Sequence, residues 1–140
     1  KAFHLVGDPW NEHNKAVQLE FVDLSGKEVA GRYPRQAGIG VCWTWDLSQA
    51  AGLSFMTNVL DDTTNAMVHA RLFIKTGDAW TWHSEPQFEN LGSLEWKTHF
   101  WNLEGVPKSE LKQVREMGIQ WTAYGEGSFT GRILMDNVSF

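Results

Sequence analysis

The chain has 140 residues, a formal net charge of −5 and 21% charged residues, which suits a single domain with a two-layer core. The acidic balance and the lack of any basic run argue against a nucleic-acid partner, whose phosphates would need a basic stripe. No run of about 18 apolar residues is present, so no helical membrane span is expected.

Apolar and polar residues alternate with period two through most of the chain, which predicts strands. The opening at Lys1, with neither a methionine nor an apolar leader, is what a processed or excised piece would show. Residues 16–24 set Val17, Leu19 and Phe21 against Gln18, Glu20 and Val22. In 38–47, Ile39, Val41, Trp43, Trp45 and Leu47 share one face, with Gly40, Cys42, Thr44 and Asp46 opposite. Five apolar residues in alternation are what a core face needs, so Trp43 and Trp45 are expected inside. Cys42 is the single cysteine, so no internal disulfide can form, and it reads as a small residue packed in a strand.

A strand over 52–60 follows. In 66–75, Ala70, Leu72 and Ile74 point to one side, and His69, Arg71, Phe73 and Lys75 to the other. A turn at 75–78 leads into a short strand, 79–83, bearing Trp80 and Trp82. Residues 96–103, 117–124 and 131–140 read as further strands, and Ile119, Trp121 and Ala123 as a core face. Between them, 107–114 predicts a short helical crossover with Leu111 and Val114 inward at i, i+3 spacing. Other turn signals fall at Ser25–Gly26, Asp61–Asp62, Gly92–Ser93 and 125–127. With no repeat and no linker, residues 1–140 read as one all-β domain, an antiparallel sandwich of jelly-roll type.

Eight tryptophans in this length exceed what a sheet core holds easily, so some rings are expected on a face or rim. Trp80 and Trp82 are the candidates, because Thr81, His83, Ser84 and Glu85 around them are polar. Phe73 lies with Arg71 and Lys75; it is either tucked under a loop of a solvated face or part of an aromatic floor. Gln120 faces away from the core and offers both a donor and an acceptor. Asn58, with Met56, occupies the corresponding face of its strand. Exposed rings beside amides and charges suit a ligand with flat, weakly apolar faces and many hydroxyls, which describes a sugar. In 96–103 two registers are open: one buries Trp96, Thr98 and Phe100, the other His99, Trp101 and Leu103.

Several phrases together, WTWDLSQAAGLSF, ARLFIKTGDAWTW, LEWKTHFWNLEGVPKSELKQVREMGIQW and GRILMDNVSF, resemble the jelly-roll carbohydrate-binding modules of bacterial β-mannanases and other β-1,4-glycanases. The resemblance spans roughly residues 37–140. It implies a secreted or cell-surface, non-catalytic domain that binds β-1,4-mannan, glucomannan or β-glucan and targets a linked glycoside hydrolase. It also implies the second register above, which leaves Phe100 on the open face, so that Trp80, Trp82, Phe73 and Phe100 would meet sugar rings. Arg71, Lys75, Gln120 and Asn58 would then read hydroxyls.

A structural calcium ion is a further implication. Asp136 interrupts an apolar final strand, so its carboxylate needs either a cation or backbone donors. Hard oxygen ligands suit calcium, and Glu20 or Asp8 would complete such a site. Two alternatives to sugar binding stand beside it. A jelly-roll glycan-degrading enzyme would need a close pair of carboxylates, but the acidic residues are scattered, and no metal, nucleophile-elbow or phosphate-loop motif is present. A protein-interaction sandwich would show an apolar patch instead.

Overall fold

The computed structural model describes residues 2–8, 11–25, 37–60, 67–91, 95–124 and 128–140. The strands are β1 (Ala2–Asp8), β2 (Asn11–Ser25), β3 (Ala37–Trp45), β4 (Gly52–Val59), β5 (Met67–Thr76), β6 (Thr81–Ser84), β7 (Glu89–Asn90), β8 (Lys97–Asn102), β9 (Val114–Tyr124) and β10 (Ser128–Ser139). They form two antiparallel sheets, one ordered β1-β2-β10-β4-β8 and the other β3-β9-β5-β6, with β7 also pairing β5. The turns expected at Gly26, Asp61–Asp62, Gly92–Ser93 and 125–127, and the side chain of Asp8, lie outside the described residues.

The core forms where the period-two apolar faces of the two sheets meet. Leu19, Phe21, Leu53, Phe55 and Ile133 come from the first sheet, and Leu72, Ile74, Ile119, Trp121 and Ala123 from the second. Trp121 is fully buried, with the Phe21 ring edge-on to it at 5.6 Å. The crossover is shorter than its spacing predicts: a 3-10 turn at Leu103–Gly105, then α1 (Lys108–Leu111). The Leu111 carbonyl accepts the Leu47 N–H at 2.8 Å, which ties the crossover to the end of β3. Val114 is buried as expected, but from the first position of β9 rather than from a helix. The pairing strands β1 and β7 are not anticipated by the pattern.

Two expectations about β3 are corrected. Trp43 is 72% exposed instead of buried, and Cys42 is exposed as well. The alternation is real, since Leu47 is buried and Trp45 packs partly against the core. Among the described residues, however, β3 pairs only with β9, so it is the outermost strand of its sheet. On such an edge the inward row overhangs the opposite sheet, and Val41 is also 62% exposed. Alternation identifies a face; it does not say that another layer covers it.

Buried polar groups join the layers. His99 is 1% exposed; its Nδ1 lies 2.8 Å from Glu89 and its Nε2 lies 2.9 Å from the Thr57 hydroxyl. Burial holds its pKa below the ordinary histidine value, which keeps the ring neutral at pH 7. Its burial with Trp101 and Leu103, and the 55% exposure of Phe100, select the second register of this strand.

Glu85 ends β6. Its N–H donates to the Leu72 carbonyl, and its carboxyl accepts the Leu72 N–H at 2.7 Å. Burial raises this carboxyl from 4.5 to about 7, which is above its unfolded value. Its contribution to stability is therefore complete below about pH 4.5 and is lost as pH rises through about 7. Glu85→Gln keeps an acceptor for Leu72 and cannot ionise. It is expected to raise the melting temperature at pH 8 relative to the native chain, with the gain vanishing near pH 4.5. Thermal melts at the two pH values check this.

Candidate functional site

The outward face of the second sheet carries rings, charges and glycines in register. Cross-strand pairing aligns Gly38 with Gln120, Gly40 with Gly118 and Cys42 with Glu116 on β3 and β9. Pairing of β9 with β5 then sets Gln120 beside Arg71, Gly118 beside Phe73 and Glu116 beside Lys75. On β6, Ser84 lies beside Phe73 and Trp82 beside Lys75. Three glycines thus lie in the middle of the face, with the Glu116 side chain over Gly40 and the Phe73 ring over Gly118. At Gly118 an added Cβ would sit 2.3 Å from the Phe73 ring, so the missing side chain makes room for that ring.

One side of the face is aromatic. Trp82 stacks on Phe73 with ring centroids 4.3 Å apart and planes 15° apart, a geometry that fixes the indole. Phe73 is 4% exposed beneath it, whereas Trp82 is 42% and Trp80 49% exposed. Trp80 closes the Gly77–Trp80 turn with φ at 53°, a left-handed conformation rare for a side chain this large. The Lys75 ammonium lies 5.8–5.9 Å from the Phe73, Trp80 and Trp82 rings and 2.7 Å from the Glu116 carboxylate.

Polar groups along the floor are held in pairs. Arg71 donates from Nε to the Gln120 amide oxygen at 2.8 Å, and its guanidinium lies 4.4 Å above the Phe88 ring. Behind Trp82, His83 Nε2 meets Glu110 at 2.6 Å, and Thr76 donates to the same carboxylate oxygen at 2.9 Å. These bonds hold the Glu110 carboxyl below the ordinary glutamate range and anchor α1 to β6. At the end of the sheet, Arg115 donates to both Thr44 and Asp78. The face is organised before any ligand arrives.

Trp80, Trp82, Arg71, Lys75 and Gln120 are thus brought together. Phe73 joins them as the support of Trp82, not as an accessible ring, which corrects the floor expected of it. Asn58 does not join them. It is fully buried in β4, in the other sheet, opposite the buried Leu134. Phe100 is exposed but belongs to β8, again in the other sheet. Glu116, Phe88 and the glycine trio were missed, although 116, 118 and 120 share the parity that singled out Gln120.

The expected calcium pair does not assemble. Glu20 sits opposite Arg132 on β10, and Asp136 is four residues further along that strand, about 13 Å away at ~3.3 Å per residue. Glu20 instead accepts from the Gln18 amide at 3.2 Å. Among the described residues no three acidic, histidine or cysteine side chains cluster to hold a metal ion.

A family model described as mannanase, galactose-binding domain-like, matches residues 22–137. No curated protein matches significantly. Among solved structures, a carbohydrate-binding module specific for non-crystalline cellulose, CBM28, aligns with a TM-score of 0.70 and 16% identity over 99% of this chain and 80% of its own. The family 11 carbohydrate-binding module of Clostridium thermocellum, solved with a β-1,3-1,4-mixed-linked tetrasaccharide, aligns at 0.55 and 12% identity over 98% and 79%. TmCBM27, described for specific mannan recognition, aligns at 0.54 and 17% identity over 97% and 77%. At these identities the likeness shows a shared fold.

Proposed function

The chain belongs to the mannanase galactose-binding-domain-like family, and from that membership we propose that it binds neutral β-1,4-linked plant cell-wall polysaccharide without cleaving it. Mannan, glucomannan and β-glucan are the ligand classes. The observation that carries the proposal is the exposed Trp82 stacked on Phe73, with Trp80 exposed beside it. A pyranose ring stacks its C–H face on an indole, while Lys75, Glu116, Arg71 and Gln120 exchange hydrogen bonds with its hydroxyls. Each contact is modest, and polar desolvation offsets much of the gain, so affinity is weak to moderate. Joined to a glycoside hydrolase outside the cell, the module raises the local concentration of substrate.

Glu116 is the single carboxylate among the described strand residues of this face, and it is paired with Lys75. A glycosidase would place two carboxyls about 5–9.5 Å apart across its cleft. Affinity electrophoresis in gels of galactomannan, glucomannan, hydroxyethylcellulose and xylan tests the proposal, with a parallel assay for new reducing ends. Retardation in at least one gel without cleavage is the expected result; no retardation in any, or cleavage at enzymic rates, would overturn it. A structural calcium at Asp136 would need ligands other than Glu20, and a melting temperature lowered by EDTA would reveal it.

The turn at Trp80 allows a separate check. A non-glycine residue in the left-handed region costs about 1–2 kcal/mol, so Trp80→Gly relieves strain as it removes the ring. Its stability is expected within about 1 kcal/mol of the native chain, with clearly weaker retardation.

A further inference from the structure

We propose that a second sugar-binding site lies around Phe100, on the opposite side of the sandwich from the Trp80–Trp82 face. Phe100 is 55% exposed on the outward side of β8, the edge strand of the first sheet. Its ring lies against the backbone at Gly52, where an added Cβ would sit 2.4 Å from Phe100 Cζ. An exposed ring seated on a glycine is held in place and presents its free side to solvent.

Two concavities open on either side of this ring and share Phe100 and Asn102. One, of about 380 Å³, is bordered by Ser48, Gln49, Glu104 and Lys108. The other, of about 430 Å³, is bordered by Glu85, Gln87 and Glu89. Both volumes fall within the ~300–1,000 Å³ of small-ligand sites. Amides, a hydroxyl, carboxylates and one ammonium surround the exposed Phe100 ring, with Phe88 and Trp101 also lining the second concavity. That mixture of donors and acceptors matches the hydroxyls of a pyranose whose apolar face rests on the ring. The wall of a protein partner would call for a broader apolar surface.

Phe100 and Trp82 are in different sheets and face opposite ways, so one polysaccharide segment cannot occupy both. The chain is then bivalent, and its hold on a polymer exceeds its hold on a short oligosaccharide through effective concentration. The ligand class rests on the function proposed above; the site itself does not.

Isothermal titration with mannohexaose and cellohexaose tests the site on the native chain, Phe100→Ala, Trp82→Ala and the double variant, each first shown to melt like the native chain. Two oligosaccharides per chain are expected for the native protein with at least one of the two sugars. Each single variant should bind one, and the double variant none. Phe100→Trp, which restores a larger ring, should return the count to two. A Phe100→Ala chain with native stoichiometry and native retardation in galactomannan gels would overturn the second site and leave the first standing. Loss of all binding in Phe100→Ala with none lost in Trp82→Ala would support the Phe100 site and overturn the Trp82 face. No binding of either sugar by the native chain overturns both.

Discussion

Trp121→Ala is expected to cost about 3–5 kcal/mol, a large share of the total stability of about 5–15 kcal/mol of a domain this size. Trp121 is fully buried where the sheets meet, flanked by Ile119 and Ala123 and edge-on to Phe21. Truncation removes a large apolar surface and leaves a cavity that neighbours in two rigid sheets cannot close. Trp43→Ala provides the contrast. With 72% of Trp43 exposed, the same substitution should change stability by less than about 1 kcal/mol. Urea unfolding of the two variants checks both statements, and similar losses for both would mean that β3 is covered rather than at an edge.

Trp82→Ala is expected to fold and to lose most of its affinity for polysaccharide. The folded state loses the Phe73–Trp82 stack, about 0.5–1.5 kcal/mol, which a domain of this size tolerates. Binding loses the one platform whose plane is set by a buried ring beneath it. A truncated central contact commonly costs 2 kcal/mol or more, about a thirtyfold rise in Kd. Phe73 becomes exposed in this variant, and it accounts for any binding left on this face. Trp82→Ala combined with Phe73→Ala should remove that residue of affinity and leave only what the Phe100 site holds. Titration of each variant with the best-binding polysaccharide measures the series.

The sheet face was legible in part because strand parity is a local property. Residues 69, 71, 73 and 75 alternate against 70, 72 and 74 in the chain, and the structure keeps that division. The polar neighbours of Trp80 and Trp82 likewise marked rings that are in fact exposed. What parity cannot carry is the identity of the layer opposite. Trp43 and Trp121 have similar patterns, yet one strand is at the edge of its sheet and the other in the middle.

Strand order also decided which outward residues share a face. Asn58 and Phe100 have the same outward parity as Arg71, but β4 and β8 pair in the sheet opposite β5. The Glu20–Asp136 pairing failed for a related reason. Register along β2 and β10, which no local pattern specifies, sets them four residues apart. The Phe73–Trp82 stack depends on both Gly118 and the β5–β6 register, so only the assembled sheet reveals it.

The most direct test of the sugar face is to follow the eight indole N–H resonances of the protein during titration with mannohexaose or cellohexaose. Shifts are expected at Trp80 and Trp82 and at the amides of Gly40 and Gly118, with the fully buried Trp121 unmoved. Saturating binding with Trp80 and Trp82 unmoved would contradict the sugar face.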